Sequence, residues 1–211
     1  MPAIGITGGI STGKSTFTKF LRELLAATPQ RGASAVTFFD ADEAARRAVD
    51  LPETAGAIRA QFGDEVFSEA GELNRAALRA IVFADADKRR ALEQILHPPI
   101  RREWSALAEK HRNSSDFFFA DIPLLYETGG ETLCDRVVVV ACSREVQLRR
   151  LQERRGISED AAARIIDSQM PIEEKIRRAD HVVWNNGPIE MLHEQTKQLV
   201  DLWRTEKWTK A

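Results

Sequence analysis

Cysteine is scarce. Cys134 and Cys142 are the only two in 211 residues, which excludes a disulfide scaffold or a cysteine-ligated metal centre; both are expected as reduced thiols in a core. An excess of either charge is also missing: 30 Lys and Arg stand against 32 Asp and Glu, for a net charge of -2. A nucleic-acid partner is therefore not expected, and any basic site must be a local cluster. No uncharged run approaches the ~20 residues of a membrane span. The opening MPAIGITGG has no basic segment ahead of a long apolar one, so the expectation is a soluble, cytoplasmic protein. Repeats and low-complexity tracts are absent. What is present, 43% hydrophobic and 29% charged residues, suits one globular domain, with or without a sizeable insertion.

Residues 3–7 (AIGIT) read as a short buried strand, and the glycine turn after them leads into a helix in which Phe17, Phe20, Leu21, Leu24 and Leu25 recur at helical spacing. A second apolar strand, 35–39, ends at Asp40. From Asp42 to about Arg112 the chain is rich in Ala, Arg, Glu and Leu, with breaks expected at Pro52, in the Gly63 to Gly71 region and at His97-Pro98-Pro99. Strands resume at 117–121 (FFFAD), 136–142 (RVVVVAC) and 181–184 (HVVW), and their near-continuous apolar character suits parallel strands covered on both faces. The prediction is an α/β fold with a parallel sheet, a helical insertion at 42–112 in one crossover, and a closing amphipathic helix over about 188–206.

Chemistry concentrates at Gly8-Gly9-Ile10-Ser11-Thr12-Gly13-Lys14-Ser15, a phosphate-loop pattern placed between strand and helix. Gly8 and Gly13 permit backbone angles that let consecutive amides, those of Ser11 and Thr12 among them, turn onto phosphate oxygens. The following helix points its positive end at the same anion. Lys14 supplies charge for the outer phosphates, Ser15 a hydroxyl for magnesium and Thr16 a contact to the α-phosphate. The guanine-reading Asn-Lys-x-Asp of a GTPase is absent, which favours a small-molecule kinase using ATP and Mg2+.

Asp40 and Asp42 follow the second strand, where a carboxylate orients an acceptor hydroxyl and takes its proton; Asp42 is the expected base, and the alternative is that both acids cap the next helix. Asp121 ends a strand as a magnesium ligand would, or stands as a turn residue before Pro123. Arg149, Arg150, Arg154, Arg155 and Arg164 lie on helical ground, either closing over phosphates or facing solvent.

These segments together resemble the dephospho-CoA kinase family. The likeness covers nearly the whole chain and rests on TGGISTGKST (7–16), DADEAAR (40–46), LHPPIR (96–101), IPLLYE (122–127), the Arg-rich stretch reaching Ser168-Gln169, and ADHVVWNNG (179–187). The family usually has glycine where Ser11 stands and serine at Thr12. The resemblance implies a P-loop NTPase-type five-stranded parallel sheet flanked by helices, an inserted acceptor-binding domain at 42–112 and a lid near 150–170. It implies Asp42 as catalytic base, Lys14 and Ser15 as phosphate and magnesium ligands, Arg154 or Arg155 as a lid arginine, and Asn185 near the adenine. His97 is expected at the acceptor or at a helix junction; Leu124, Leu125 and Tyr126 are expected as the apolar wall of a pantetheine groove, with Leu124 and Leu125 alternatively core. The acceptor would be dephospho-CoA, and the assembly a monomer or small homo-oligomer. Competing readings are a nucleoside or nucleotide kinase and an ATP-binding regulatory module.

Overall fold

The computed structural model describes residues 3–27, 36–112 and 117–205. Strand β1 (Ala3–Gly8) is buried at every position, as a central parallel strand covered on both faces must be. It lies in a five-stranded sheet of order β2-β3-β1-β4-β5, with β2 (Val36–Asp40), β3 (Phe117–Asp121), β4 (Arg136–Ala141) and β5 (His181–Trp184). β1 pairs in parallel with β3, Ile6 opposite Asp121, and with β4, Gly8 opposite Val140; β4 pairs in parallel with β5. The strand order reverses around β1, so its C-terminal end opens onto the crevice where such sheets bind ligands.

Helix α1 (Lys14–Ala27) buries Phe17 and Leu21, and α9 (Ile189–Thr205) buries Leu192, Thr196, Val200 and Trp203 at helical spacing. Together with Ile4, Ile6, Phe119 and Val138 they form the sheet's main core, in which Phe119 stacks on Phe38 at 5.0 Å and meets Trp203 at 5.7 Å. Each such apolar side chain withdrawn from water contributes about 1.5–3 kcal/mol. On the other side of the sequence, α6 (Arg144–Arg155), α7 (Glu159–Asp167) and α8 (Ile172–Arg178) join β4 to β5. Ser143 and Ser158 cap α6 and α7, and the Arg144 guanidinium grips both Asp167 oxygens at 2.7 and 3.0 Å. The segment 150–170 thus comprises the second half of α6 and all of α7.

By contacts, the chain forms two compact units, and Asp40–Leu107 is one of them. That unit holds α2 (Ala41–Ala48), α3 (Pro52–Phe62), α4 (Arg75–Ala84) and most of α5 (Ala86–Arg112), around its own core of Val49, Ile58, Phe62, Val66 and Leu78. Pro52 starts α3 and Gly63, at φ +84°, ends it, as the sequence predicts. The break expected at His97-Pro98-Pro99 does not occur: α5 continues through both prolines. They remove the donors for the Gln94 and Ile95 carbonyls. Gln94, His97 and Pro98 are exposed, so water reaches that side of the helix, while Leu92, Ile95 and Leu96 pack on the unit's core and hold the turn in place. Among the described residues no helix is long and apolar enough to cross a membrane.

Candidate active site

The turn from β1 into α1 places the phosphate-loop residues at the C-terminal edge of the sheet, with the helix N-terminus at Lys14 and no acid in its first turn. A β-carbon on Gly8 would overlap the Val140 carbonyl, and one on Gly13, at φ +94°, would collide with the Asn185 amide. Ser11 adopts φ +58°, the left-handed region that favours glycine; this is the position at which the resembling family carries glycine. Thr12 is buried and closes the loop on itself, its Oγ1 donating to the Gly9 carbonyl at 2.8 Å.

Distant side chains brace this loop. Ile10 is held at both backbone atoms, its N–H donating to Gln169 Oε1 and its carbonyl accepting from Gln147 Nε2, each at 2.9 Å. Asn185, buried beyond the end of β5, donates from Nδ2 to the Thr12 carbonyl at 2.8 Å. Its immediate partner is therefore loop backbone, where the family resemblance led to the expectation of an adenine contact.

Lys14, in the first turn of α1, forms an ion pair with Asp121 at the end of β3, and Thr18 Oγ1 donates to the other Asp121 oxygen at 2.8 Å. Ser15 is exposed and Thr16 half-buried beside them. Among the described residues no group of three or more His, Cys, Asp or Glu side chains could enclose a metal. One carboxylate and one hydroxyl next to a phosphate loop nevertheless fit magnesium, which takes most of its ligands from substrate phosphates and water.

The arginines separate by geometry. Arg150 turns toward the loop: its Nη1 is buried without a hydrogen-bond partner and lies 3.9 Å from where a Gly13 β-carbon would stand. The Cys142 thiol, raised above its ordinary value by burial, is partly offset by the same guanidinium. Arg154 and Arg155, at the far end of α6, are exposed. A helix rises about 1.5 Å per residue, so those two start roughly 6 and 7.5 Å further along the axis. Sequence reading ranked the lid pair above Arg150; burial reverses that order for the loop itself.

Asp40 and Asp42 also separate. Asp40 caps α2, its carboxylate accepting from the Glu43 N–H at 3.0 Å, while Asp42 is exposed in the first turn and has no hydrogen-bond or ionic partner among the described residues. Both belong to the second unit with His97, which is exposed on α5. Leu124 is half-buried. Leu125 and Tyr126 are core: Leu125 is fully buried with Cδ2 against Gly5, and the Tyr126 ring lies under the Arg178 guanidinium at 4.3 Å with its hydroxyl buried and unpartnered. A groove wall must be reachable by ligand, so of the three only Leu124 retains that possibility.

Sequence reading missed Lys175. Its Nζ is fully buried among Glu127 Oε1 at 2.8 Å, the Pro123 carbonyl at 3.0 Å and the Gly8 carbonyl at 3.3 Å. Burial lowers its pKa, and the Glu127 carboxylate opposes that effect. The segment IEEKIRR reads locally as a solvated helix, and no local signal marks its lysine as buried.

The family model for dephospho-CoA kinase matches residues 2–190. A dephospho-CoA kinase of Syntrophotalea carbinolica is 42% identical over 205 residues, covering 95% of this chain and 91% of the relative. Among solved structures, TT1252 from Thermus thermophilus superposes with a TM-score of 0.72 at 32% identity, over 97% of this chain and 98% of that one. Dephospho-CoA kinase from Campylobacter jejuni does so with a TM-score of 0.69 at 25% identity, over 94% and 95%. A phosphate loop at the switch point of a parallel sheet, matched to these relatives nearly end to end, establishes that the chain belongs to the dephospho-CoA kinase family.

Proposed function

We propose that this protein transfers the γ-phosphoryl group of ATP to the ribose 3′-hydroxyl of dephospho-CoA, releasing coenzyme A and ADP in the last step of coenzyme A biosynthesis. The observation that carries the reading is the convergence of the Lys14 ammonium and the unpartnered Arg150 Nη1 on a loop built for phosphate. An ATP phosphate would compete with Asp121 for Lys14 and give Arg150 the anion it lacks.

Gly8, Ser11, Thr12, Gly13 and Thr16 serve the donor phosphates. Ser15 and Asp121 would hold magnesium together with the donor phosphates, and the bound ion would supply charge neutralisation to the transfer. Asp42, exposed and unpartnered, takes the proton of the attacking hydroxyl as the new P–O bond forms and ADP leaves. His97 and Leu124 are assigned to the acceptor, and Arg154 and Arg155 to closure over the nucleotide. Asn185 acts by holding the loop. A cytoplasmic monomer or small homo-oligomer without a nucleic-acid partner completes the reading.

The test is direct: protein, ATP, Mg2+ and dephospho-CoA, with coenzyme A measured by mass. Phosphorylation of free nucleosides or nucleotides without coenzyme A would favour a different acceptor; ATP binding without transfer to any acceptor would favour a regulatory module.

A further inference from the structure

We propose that Lys175 is a positioning residue of the phosphate site, a buried ammonium that orients the Gly8 carbonyl and so sets the turn of the chain from β1 into the phosphate loop. This rests on the loop being the nucleotide site.

Three observations converge. In a parallel strand, alternate carbonyls point to the same neighbour. The Ile6 carbonyl accepts from the Ile122 N–H at 2.9 Å on the β3 side, and Gly8, two residues on, presents its carbonyl to the same side. Continued in register, its donor would be the Leu124 N–H, but β3 ends at Asp121 and the chain turns away through 123–129. Lys175 Nζ takes the place of the missing strand donor, at 3.3 Å from Gly8 O.

Second, the acceptor count fits the charged form. An ammonium has three N–H donors, and Gly8 O, Pro123 O and Glu127 Oε1 are three acceptors. A neutral amine would turn its lone pair on one of them. Pro123 O also accepts from Thr7 Oγ1 at 2.9 Å and Glu127 Oε1 from the Met170 N–H at 3.1 Å, so the Gly8 carbonyl is the acceptor that would lose its donor beside the fully buried amine.

Third, the counter-ion ties the loop to α8 and the turn before it. Glu127 Oε1 also accepts from the Met170 N–H at 3.1 Å, next to Gln169, whose Oε1 holds Ile10. Gly8 is thus fixed by a residue of α8 and Ile10 by the turn just before it. An ion pair serving only to stabilise the core would need neither contact with loop backbone.

The experiment titrates Mg–ADP into wild type, Lys175→Met and Lys175→Met/Glu127→Gln, each well below its melting midpoint, and measures KM for ATP and for dephospho-CoA. A loop less often in its binding form weakens apparent affinity by the fraction lost. The expected result is an ADP Kd and an ATP KM raised about tenfold or more in both variants, with KM for dephospho-CoA within about threefold of wild type. Removing the whole pair should restore the melting temperature without restoring ADP affinity, because no charge is left buried alone. An ADP Kd within about threefold of wild type, or a parallel rise in both KM values, overturns the proposal. If Lys175→Met does not fold, the double variant is read by the same criteria. Failure of wild type to bind ADP would instead overturn the reading of the loop.

Discussion

Lys14, in the first turn of α1, and Asp121, at the C-terminal end of β3, form an ion pair, both side chains largely withdrawn from water. The pair links the donor site to the stability of the fold. Removing one partner of a buried pair typically costs about 3–5 kcal/mol, and among the described residues Thr18 would remain as the side-chain donor to Asp121. Lys14→Met is therefore expected to lose most turnover and to lower Tm, while Lys14→Met/Asp121→Asn recovers Tm and stays inactive. Thermal melts beside a turnover assay check this; an active double variant would remove Lys14 from the donor site.

Asp40 and Asp42 predict opposite phenotypes. Since Asp40 is the cap of α2, Asp40→Ala should lower stability by about 1 kcal/mol. Asp42→Asn should leave the melt unchanged and reduce kcat by at least about 10²-fold, the lower end of general-base assistance. A loss in kcat below about tenfold, short of that range, would take the proton-accepting role away from Asp42.

Arg150 is expected to matter more than Arg154 or Arg155. Its Nη1 is buried beside the loop without a partner, so a phosphate gained there is a charge-assisted hydrogen bond in a dry setting. Arg150→Met should raise KM for ATP and lower kcat together, by about tenfold or more. Arg154→Ala and Arg155→Ala should each change them less, and a larger effect from either would place the main phosphate contact on the exposed end of α6.

Tyr126 offers a test through pH. Burial pushes its hydroxyl from 10.0 up to about 12 and the Cys134 thiol from 9.0 up to about 12. A group whose pKa is raised by folding contributes stability that is complete below its unfolded pKa and disappears as pH rises through the folded one. Tm should hold steady up to pH 9 and fall between 9 and 12, less steeply in Tyr126→Phe/Cys134→Ala. Tyr126→Phe alone should gain up to about 1 kcal/mol at neutral pH, since a buried unpaired hydroxyl is unfavourable, and leave KM for dephospho-CoA unchanged. A raised KM would return Tyr126 to the acceptor groove.

Much of the molecule follows from local sequence. The strands at 117–121 and 136–142 are legible because strands covered on both faces read as unbroken apolar runs, and the phosphate loop because its glycines, lysine and serine fall within eight successive residues whose roles are set by backbone geometry. The prolines of α5 mislead, since a local helix breaker is overridden where Leu92, Ile95 and Leu96 have a core to pack on.

Sequence alone determined the sheet, the donor loop and the pool of acids and arginines from which the chemistry is drawn, because those depend on periodicity and on contacts between near neighbours. Tertiary structure alone decided which members of that pool face the loop. Arg150 rather than its exposed neighbours, Asn185 as a brace 173 positions from Thr12, and Lys175 beneath Gly8 across 167 positions are outcomes of packing between distant segments, and burial of a charge at the end of such a contact leaves no periodic trace in the chain that makes it.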